Sequence, residues 1–327
     1  MQVGKVPESV LKRSVLKTIK TKRPEVVLGA SVGEDCTAVK LSEGEIMVMS
    51  TDPITGTAKD IGNLAIQITA NDLASSGAEP IGVMLTVLLP DGCEESVLKE
   101  MMKQMQQHCE ELNMQILGGH TEVTRVVNQP VVSVTGVGKV REGKLISTAG
   151  VKPGMDILVT KWVGLEGTSI LAKEKEEELL NRFSPAFVDG AKDFDRFLSV
   201  VQEGLVAAEF GVAAMHDVTE GGIFGALWEI AEASKVGLEI ELLKIPMKQE
   251  TIEISEFFGI NPYGLISSGS MLMAAKDGNG LVLELAKHGI AATIIGKATD
   301  GNDRVLLNNE ERRFLEPPKT DELYKVL

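Results

Sequence analysis

The sequence is sparing in several of the features that would settle its class at once. Its 327 residues include only three cysteines, Cys36, Cys93 and Cys109, which are isolated and show no CxxC spacing. Neither a disulfide framework nor a structural zinc centre is suggested, and reduced thiols fit a cytoplasmic protein. Aromatic residues make up 4% of the chain, too few for the base-stacking platform of a single-strand nucleic-acid binder. There is no run of 18 apolar residues, and Met1 to Arg13 mixes charged and apolar residues without a continuous apolar core, so neither a membrane span nor a signal peptide is expected. Positive charge is the minority, 33 Lys and Arg against 47 Asp and Glu for a net charge of −14. That balance disfavours a non-specific hold on nucleic acid or on an anionic membrane. An anionic ligand would need a local remedy, such as Mg²⁺ or a helix N-terminus.

What is present describes a folded protein of more than one domain. Hydrophobic residues at 43% and charged residues at 24% are near the averages for globular chains, and the length favours two domains. A polar, basic segment over residues 1–25 carries Val10, Leu11, Val15, Leu16 and Ile19 at helical spacing before Pro24. Strand-like runs follow at Thr37–Leu41, Ile46–Ser50, Gly82–Leu89, Gln115–Leu117 and Val131–Val137, with helices near Asp60–Ser75 and Glu94–Leu112. A turn-rich seam at Ala149–Gly154 precedes a second alternation of strands and helices. The expected division is 1–25 as an N-terminal helical extension, 26–149 and 150–315 as two domains of an α/β or α+β fold, and 316–327 as a peripheral tail.

Some apparent motifs dissolve on physical grounds. Gly138 to Leu145 spells GxxxxGK, but Leu145 stands where a P-loop needs a hydroxyl for Mg²⁺, and no helix pattern follows. His120 and Glu122 form an HxE pair without the PCxxC partner of a zinc deaminase. His288 before Gly289 suits a helix C-terminus, and His108 in the Met-rich helix suits packing.

Four acids are harder to explain as surface. Asp35 lies in a glycine turn that opens a small-residue strand, and Asp52 ends an apolar strand. Asp72 continues the stripe Ile61, Leu64, Ala65 and Ile68, which projects its carboxylate from a buried helix face, where it needs a cation or strong donors. Asp217 precedes Thr219, Gly221 and Gly222 at the start of a helix, where glycines let backbone amides approach an anion. Each acid taken alone is equally well explained as a helix cap or an arginine partner. Together they suggest a Mg²⁺-nucleotide site built without a P-loop. Gly118-Gly119-His120-Thr121-Glu122 adds a double-glycine turn after a strand.

These blocks, GEDCTAV at 33–39, STDP at 50–53, NDLASSGAEP at 71–80, GGHTE at 118–122 and HDVTEGG at 216–222, resemble the aminoimidazole ribonucleotide (AIR) synthase superfamily in order and spacing. Further likeness to its hydrogenase-maturation branch, HypE and relatives, comes through Thr160-Lys161, Glu166-Gly167-Thr168 and Ile266-Ser267-Ser268-Gly269. The resemblance implies a PurM-like two-domain protomer whose N-terminal α/β domain closes a β-barrel across a homodimer, with ATP near that interface. It implies Asp35, Asp52 and Asp72 as magnesium acids, with Glu122 and Asp217 as further candidate ligands. Asn71, Gly118, Gly119, Thr121, Thr219, Gly221 and Gly222 would face the nucleotide, and Lys161 and Glu166 are candidate phosphate or substrate contacts.

The chemistry implied is ATP-dependent activation of a carbonyl or other oxygen by phosphoryl transfer, on a small-molecule or peptide acceptor. This is the work of an ATP-dependent ligase, lyase or phosphotransferase. No cysteine follows Cys109, so the branch's terminal-cysteine thiocyanate chemistry is not expected. His120 stands where several relatives carry an acid. A small-molecule kinase like thiamine-monophosphate kinase and a non-catalytic maturation factor that captures a partner protein are the competing readings.

Overall fold

The computed structural model describes residues 3–31, 36–54, 61–317 and 320–327. The chain divides into two compact units: Met1–Leu73 with Ala78–Leu145, and Ala74–Gly77 with Ile146–Leu327.

Unit 1 begins with β1 (Gly4–Lys5) and α1 (Glu8–Ser14), then β2 (Val26–Leu28), β3 (Ala38–Val39), β4 (Glu45–Ile54), α2 (Ile61–Ser75), β5 (Glu79–Pro90), α3 (Glu95–Glu111), β6 (Gln115–Thr124) and β7 (Val131–Arg141). Five strands form a sheet in the order β1-β6-β5-β7-β4. Only β5 and β6 run parallel, joined by α3 as a crossover helix; the other pairs are antiparallel. Helix α3 is amphipathic, burying Leu98, Met101, Met102, Met105 and Cys109, the helical stripe visible in the sequence. The leading segment is part of this unit: β1 pairs with β6, and Arg23 is buried among Glu25, Glu79 and the carbonyl of Asn113.

Unit 2 contains β8 (Asp156–Thr160), α4 (Leu165–Glu174), α5 (Glu176–Leu180), α6 (Pro185–Lys192), α7 (Val201–Phe210), β9 (Ala214–Val218) and α8 (Gly222–Ser234). It continues through β10 (Gly237–Glu241), α9 (Gln249–Phe258), β11 (Ser270–Ala275), α10 (Gly278–Lys287), β12 (Ala292–Thr299), β13 (Arg304–Asn308) and β14 (Glu311–Phe314). Its sheet order is β14-β13-β10-β12-β8-β11-β9, with β10 and β13 the parallel pair. Strand β11 is buried along its whole length, as a central strand covered on both faces must be. Local signals set several helix ends. Ser184 caps α6 through the Phe187 amide with Pro185 in its first turn, and Asp277 caps α10 through the Gly280 amide, each supplying an acceptor for an otherwise unpaired donor.

The acidic run from Glu174 to Glu178 is split at Lys175 between α4 and α5, and Leu165 to Ala172 of α4 are buried, polar side chains included. The GxxxxGK run lies at the end of β7, followed by a turn and no helix. The segment expected as a peripheral tail is anchored, with Asp321 and Leu323 buried. Among the described residues no helix is long and apolar enough to cross a membrane.

Candidate functional site

In unit 1 the structure joins two of the acids. Strand β4 extends past Asp52 to Ile54, because β7 pairs it residue by residue and sets Asp52 opposite Val134. Asp52 therefore sits inside a strand and not at its end. Ser50, two residues earlier, shares its face. The Ser50 hydroxyl lies 3.4 Å from Asp52 Oδ2 and also donates to Asp72 Oδ2 on α2. Two carboxylates from a strand and a helix thus converge on one hydroxyl. Asp72 and Ile68 occupy the half-exposed flank of a helix that is otherwise largely buried, so the carboxylate faces the sheet margin instead of the apolar core. Asn71 beside it is buried. Asp35 falls outside the described residues.

Carboxylate and hydroxyl oxygens are the hard donors magnesium takes, and no thiolate or imidazole joins them. The Asp52–Asp72 pair fits Mg²⁺ on that chemistry. Among the described residues, no three His, Cys, Asp or Glu side chains gather as a closed metal cage. Glu122 stands apart. It lies on β6, three strands from β4 in the sheet order and three residues beyond the position level with Asp52, and it pairs with His120 at 3.1 Å.

Gly118 to Glu122 lies within β6 and not in a turn after it. The ladder with β5 slips by one residue between Ile116 and Gly118, a bulge of the kind often found beside functional sites. Gly119 takes a φ of +143°, and a Cβ there would stand 1.9 Å from the Leu85 carbonyl oxygen, so only glycine fits. Gly118, Gly119, His120 and Thr121 line a cavity of about 450 Å³ beneath Leu11, Val15 and Ile19, a volume in the range of small-molecule sites.

In unit 2, Asp217 is buried on β9 opposite Met271. The chain then turns through Gly221 and Gly222, both left-handed with φ of +84° and +62°, into α8. The Thr219 carbonyl closes this turn, accepting from the Gly222 and Ser267 amides at 3.0 and 3.3 Å. The Gly221 amide donates to Asp321 Oδ2 at 2.6 Å. Lys161, itself left-handed at φ +50°, has its ammonium committed: 2.6 Å from Glu203 and bonded to the carbonyls of Phe197 and Ser199 at 2.8 and 2.5 Å. Burial lowers its pKa, against the pull of Glu203. It braces the loop before α4. Glu166 is buried in the first turn of α4 and accepts from the Ser268 amide at 3.3 Å. Burial, reinforced by Asp321 and Asp217, pushes its carboxyl up to about 7 despite that bond.

Sequence reasoning missed Ser50, Glu203 and Asp321. Ser50 was available from the two-residue period of its strand. Asp321 was not, because its partners lie 55 and 100 residues away.

The fold and these residues define a two-domain mixed α/β protein whose polar groups sit on strand interiors and at a glycine-led helix start. The chain belongs to the AIR synthase related protein family: the family's N-terminal domain matches residues 33–140 and its C-terminal domain residues 152–307. It is 29% identical over 332 residues to a Methanocaldococcus jannaschii protein named for hydrogenase expression/formation, covering 99% of this chain and 97% of that one. It is also 29% identical over 265 residues to the carbamoyl dehydratase HypE of Cupriavidus necator, covering 78% and 73%. Among solved structures, hydrogenase maturation protein HypE in complex with ATP superposes with a TM-score of 0.81 at 20% identity, covering 98% of this chain and 97% of that one. A chain of the HypE–HypF complex gives 0.73 at 23% identity, covering 85% of this chain and 92% of that one.

Proposed function

We propose that this protein binds Mg-ATP and uses it to activate a carbonyl or other oxygen of an acceptor by phosphoryl transfer, in the manner its HypE-like relatives suggest. The observation that carries this reading is the convergence of Asp52 and Asp72 on the Ser50 hydroxyl. Two carboxylates held at one point repel each other unless a cation lies between them or a shared donor relieves them, and magnesium with nucleotide phosphate meets that need. Asp35, outside the described residues, is a further magnesium acid by the family resemblance alone. When bound, magnesium would neutralise charge on the phosphoryl group in transfer.

The protein's own residues orient. Ser50 fixes the spacing of the two carboxylates, and Asn71 and the bulged Gly118-Gly119 of β6 shape the walls. In unit 2, Gly221, Gly222, Thr219 and Asp217 are assigned to the nucleotide-facing turn that the family resemblance implies, a turn closed here by the Thr219 carbonyl. The acids position and do not attack. Glu122, remote from the pair, is assigned to positioning His120, and Lys161 to bracing.

The protomer is assigned to a homodimer. The face of β4 opposite Asp52 exposes Met47 and Met49, apolar side chains on a strand that suit a second sheet. HypE has been seen in complex with HypF, and a maturation partner protein is the corresponding expectation here, in the cytoplasm.

Replacing Asp72 by Asn should weaken Mg-ATP binding by more than about tenfold while leaving the thermal midpoint nearly unchanged. Unchanged affinity in that variant contradicts the assignment. Phosphate release that depends on an added carbamoyl or amide compound supports oxygen activation. ADP formation with a phosphorylated small molecule accumulating identifies a kinase instead, and nucleotide binding without turnover identifies an assembly factor.

A further inference from the structure

Four of the nine phenylalanines of the chain meet on one side of unit 2. Phe183, in the link between α5 and α6, stacks on Phe187 of α6 with ring centroids 4.6 Å apart, and it meets Phe257 of α9 edge-on at 5.9 Å. Phe257 in turn meets Phe258 edge-on at 4.9 Å. Phe183, Phe187 and Phe258 rest on the core formed by Leu171, Leu179, Val188 and Ile254, so the rings are held in place. They are also incompletely covered. Phe257 is 40% exposed, and Leu180 and Ile252 on the flanking helices are 41% and 43% exposed. A contiguous apolar surface of this kind marks a contact site more often than a bare exterior, and rigid aromatic rings are the side chains on which interface energy concentrates.

The charge around the rings is mostly of one sign. Glu253 and Phe257, and likewise Ile252 and Glu256, stand four residues apart on the outward side of α9. Helix α9 carries Glu250, Glu253 and Glu256 with no lysine or arginine, and α5 carries Glu176, Glu177 and Glu178. Lys175 pairs with Glu178 and Lys192 with Glu176, while Lys248, just before α9, lies over the Trp162 ring at 3.6 Å. Among the described residues, Glu177, Glu250, Glu253 and Glu256 have no lysine or arginine within ion-pair distance, and Arg182 beside Phe183 offsets only one of these charges. A second copy of this chain would set like charge against like, which costs several kcal/mol, and an anionic membrane would meet the same repulsion. The chain's own basic segment is already engaged in unit 1, where Arg13 pairs with Glu95 and Arg23 with Glu25.

We infer that this side of unit 2 docks a basic amphipathic segment of a partner protein, with apolar side chains seated on Phe183 and Phe257 and lysines or arginines reaching Glu177, Glu253 and Glu256. Opposite charge guides the encounter, and the rings hold the contact. None of these residues takes part in the nucleotide assignment, so the two stand or fall separately.

The test selects binders from a displayed library of random peptides on the full chain, with counter-selection on Phe257→Ser, after thermal melts show the variants folded. Peptides that discriminate should carry Lys or Arg among aliphatic or aromatic residues. By fluorescence anisotropy, the tightest of them should lose about tenfold in affinity with Phe257→Ser. The double variant Glu253→Lys with Glu256→Lys should lose about as much, and its binding should lose most of its salt dependence. The same charge change at the exposed Glu43 and Glu209, each replaced by Lys, should leave affinity within about twofold. Failure to recover discriminating peptides, recovery of neutral or acidic ones, or an equal loss in the Glu43 and Glu209 control overturns the docking surface. So does a mass by light scattering that Phe257→Ser lowers, since that assigns this side to a second copy.

Discussion

Arg23 carries more of unit 1 than its place in a basic leading segment suggests. Its side chain is 5% exposed and donates to Glu25, Glu79 and a backbone carbonyl, while Lys139 reaches Glu25 at 2.7 Å. Removing one member of a buried ionic group leaves its partners uncompensated, at a cost of several kcal/mol. Arg23→Met should destabilise unit 1 by about 2–4 kcal/mol in a urea titration. The Arg23 guanidinium, with Lys139 assisting, holds the Glu25 carboxyl down at about 2. A carboxyl with a lowered folded pKa contributes stability above its ordinary pKa and loses it as pH falls through the folded one. This contribution should fade between about pH 4.5 and pH 2, and Arg23→Met should remove most of that dependence. Glu166 has the opposite sign. With its carboxyl raised to about 7, chiefly by burial, its contribution is complete below about pH 4.5 and is lost as pH rises through 7. The melting temperature of the full chain should therefore carry a downward component between pH 5 and pH 8 that Glu166→Gln flattens. An identical pH profile in the variant contradicts the buried, proton-bearing carboxyl.

At the scale of elements, two glycines show how backbone geometry builds the candidate site. A Cβ at Gly222 would stand 2.6 Å from the Tyr263 carbonyl oxygen and would also require a left-handed backbone. A Cβ at Gly119 would meet the Leu85 carbonyl at 1.9 Å in a φ region reserved for glycine. Gly119→Ala and Gly222→Ala should each cost more than about 2 kcal/mol. Alanine at Gly143, where a Cβ would meet nothing within 4 Å, should cost about 1 kcal/mol for its φ alone. Chemical denaturation of the three variants separates close approach from backbone preference. These positions also show what sequence can reveal of an element. The glycine pairs were visible, and so was the stripe of α3, because both are local. That β6 runs through its glycines with a bulge was not, because the parallel pairing with β5 that holds it comes from a strand joined across a whole helix. Asp52 was placed at a strand end for the same reason: the partner that lengthens β4 is β7, some 80 residues on.

For the whole molecule, the two-domain mixed α/β fold was legible, since five short blocks in a fixed order carry the family likeness; of the candidate acids, Asp52 and Asp72 are brought together at Ser50, and Glu122 lies on another strand. The anchoring of 320–327 was not legible, because nothing near Asp321 announces partners at Gly221 and Ile266. Association is a property at this scale. If the exposed β4 face meets a second copy, light scattering should give twice the 35.1 kDa chain mass, and Met49→Glu should shift it toward the monomer. A monomer at micromolar concentration for the unsubstituted chain contradicts the shared-sheet arrangement.

The central claim is that Asp52 and Asp72 hold one magnesium ion for nucleotide. The direct measurement is a double-mutant cycle, in which ATP affinity is determined with and without Mg²⁺ for the unsubstituted chain, Asp52→Asn, Asp72→Asn and the double variant. Ligands of one ion are not independent, so each single substitution should forfeit most of the magnesium-dependent affinity and the double should lose little more. Losses that simply add, or affinity indifferent to Mg²⁺ in the unsubstituted chain, would contradict it.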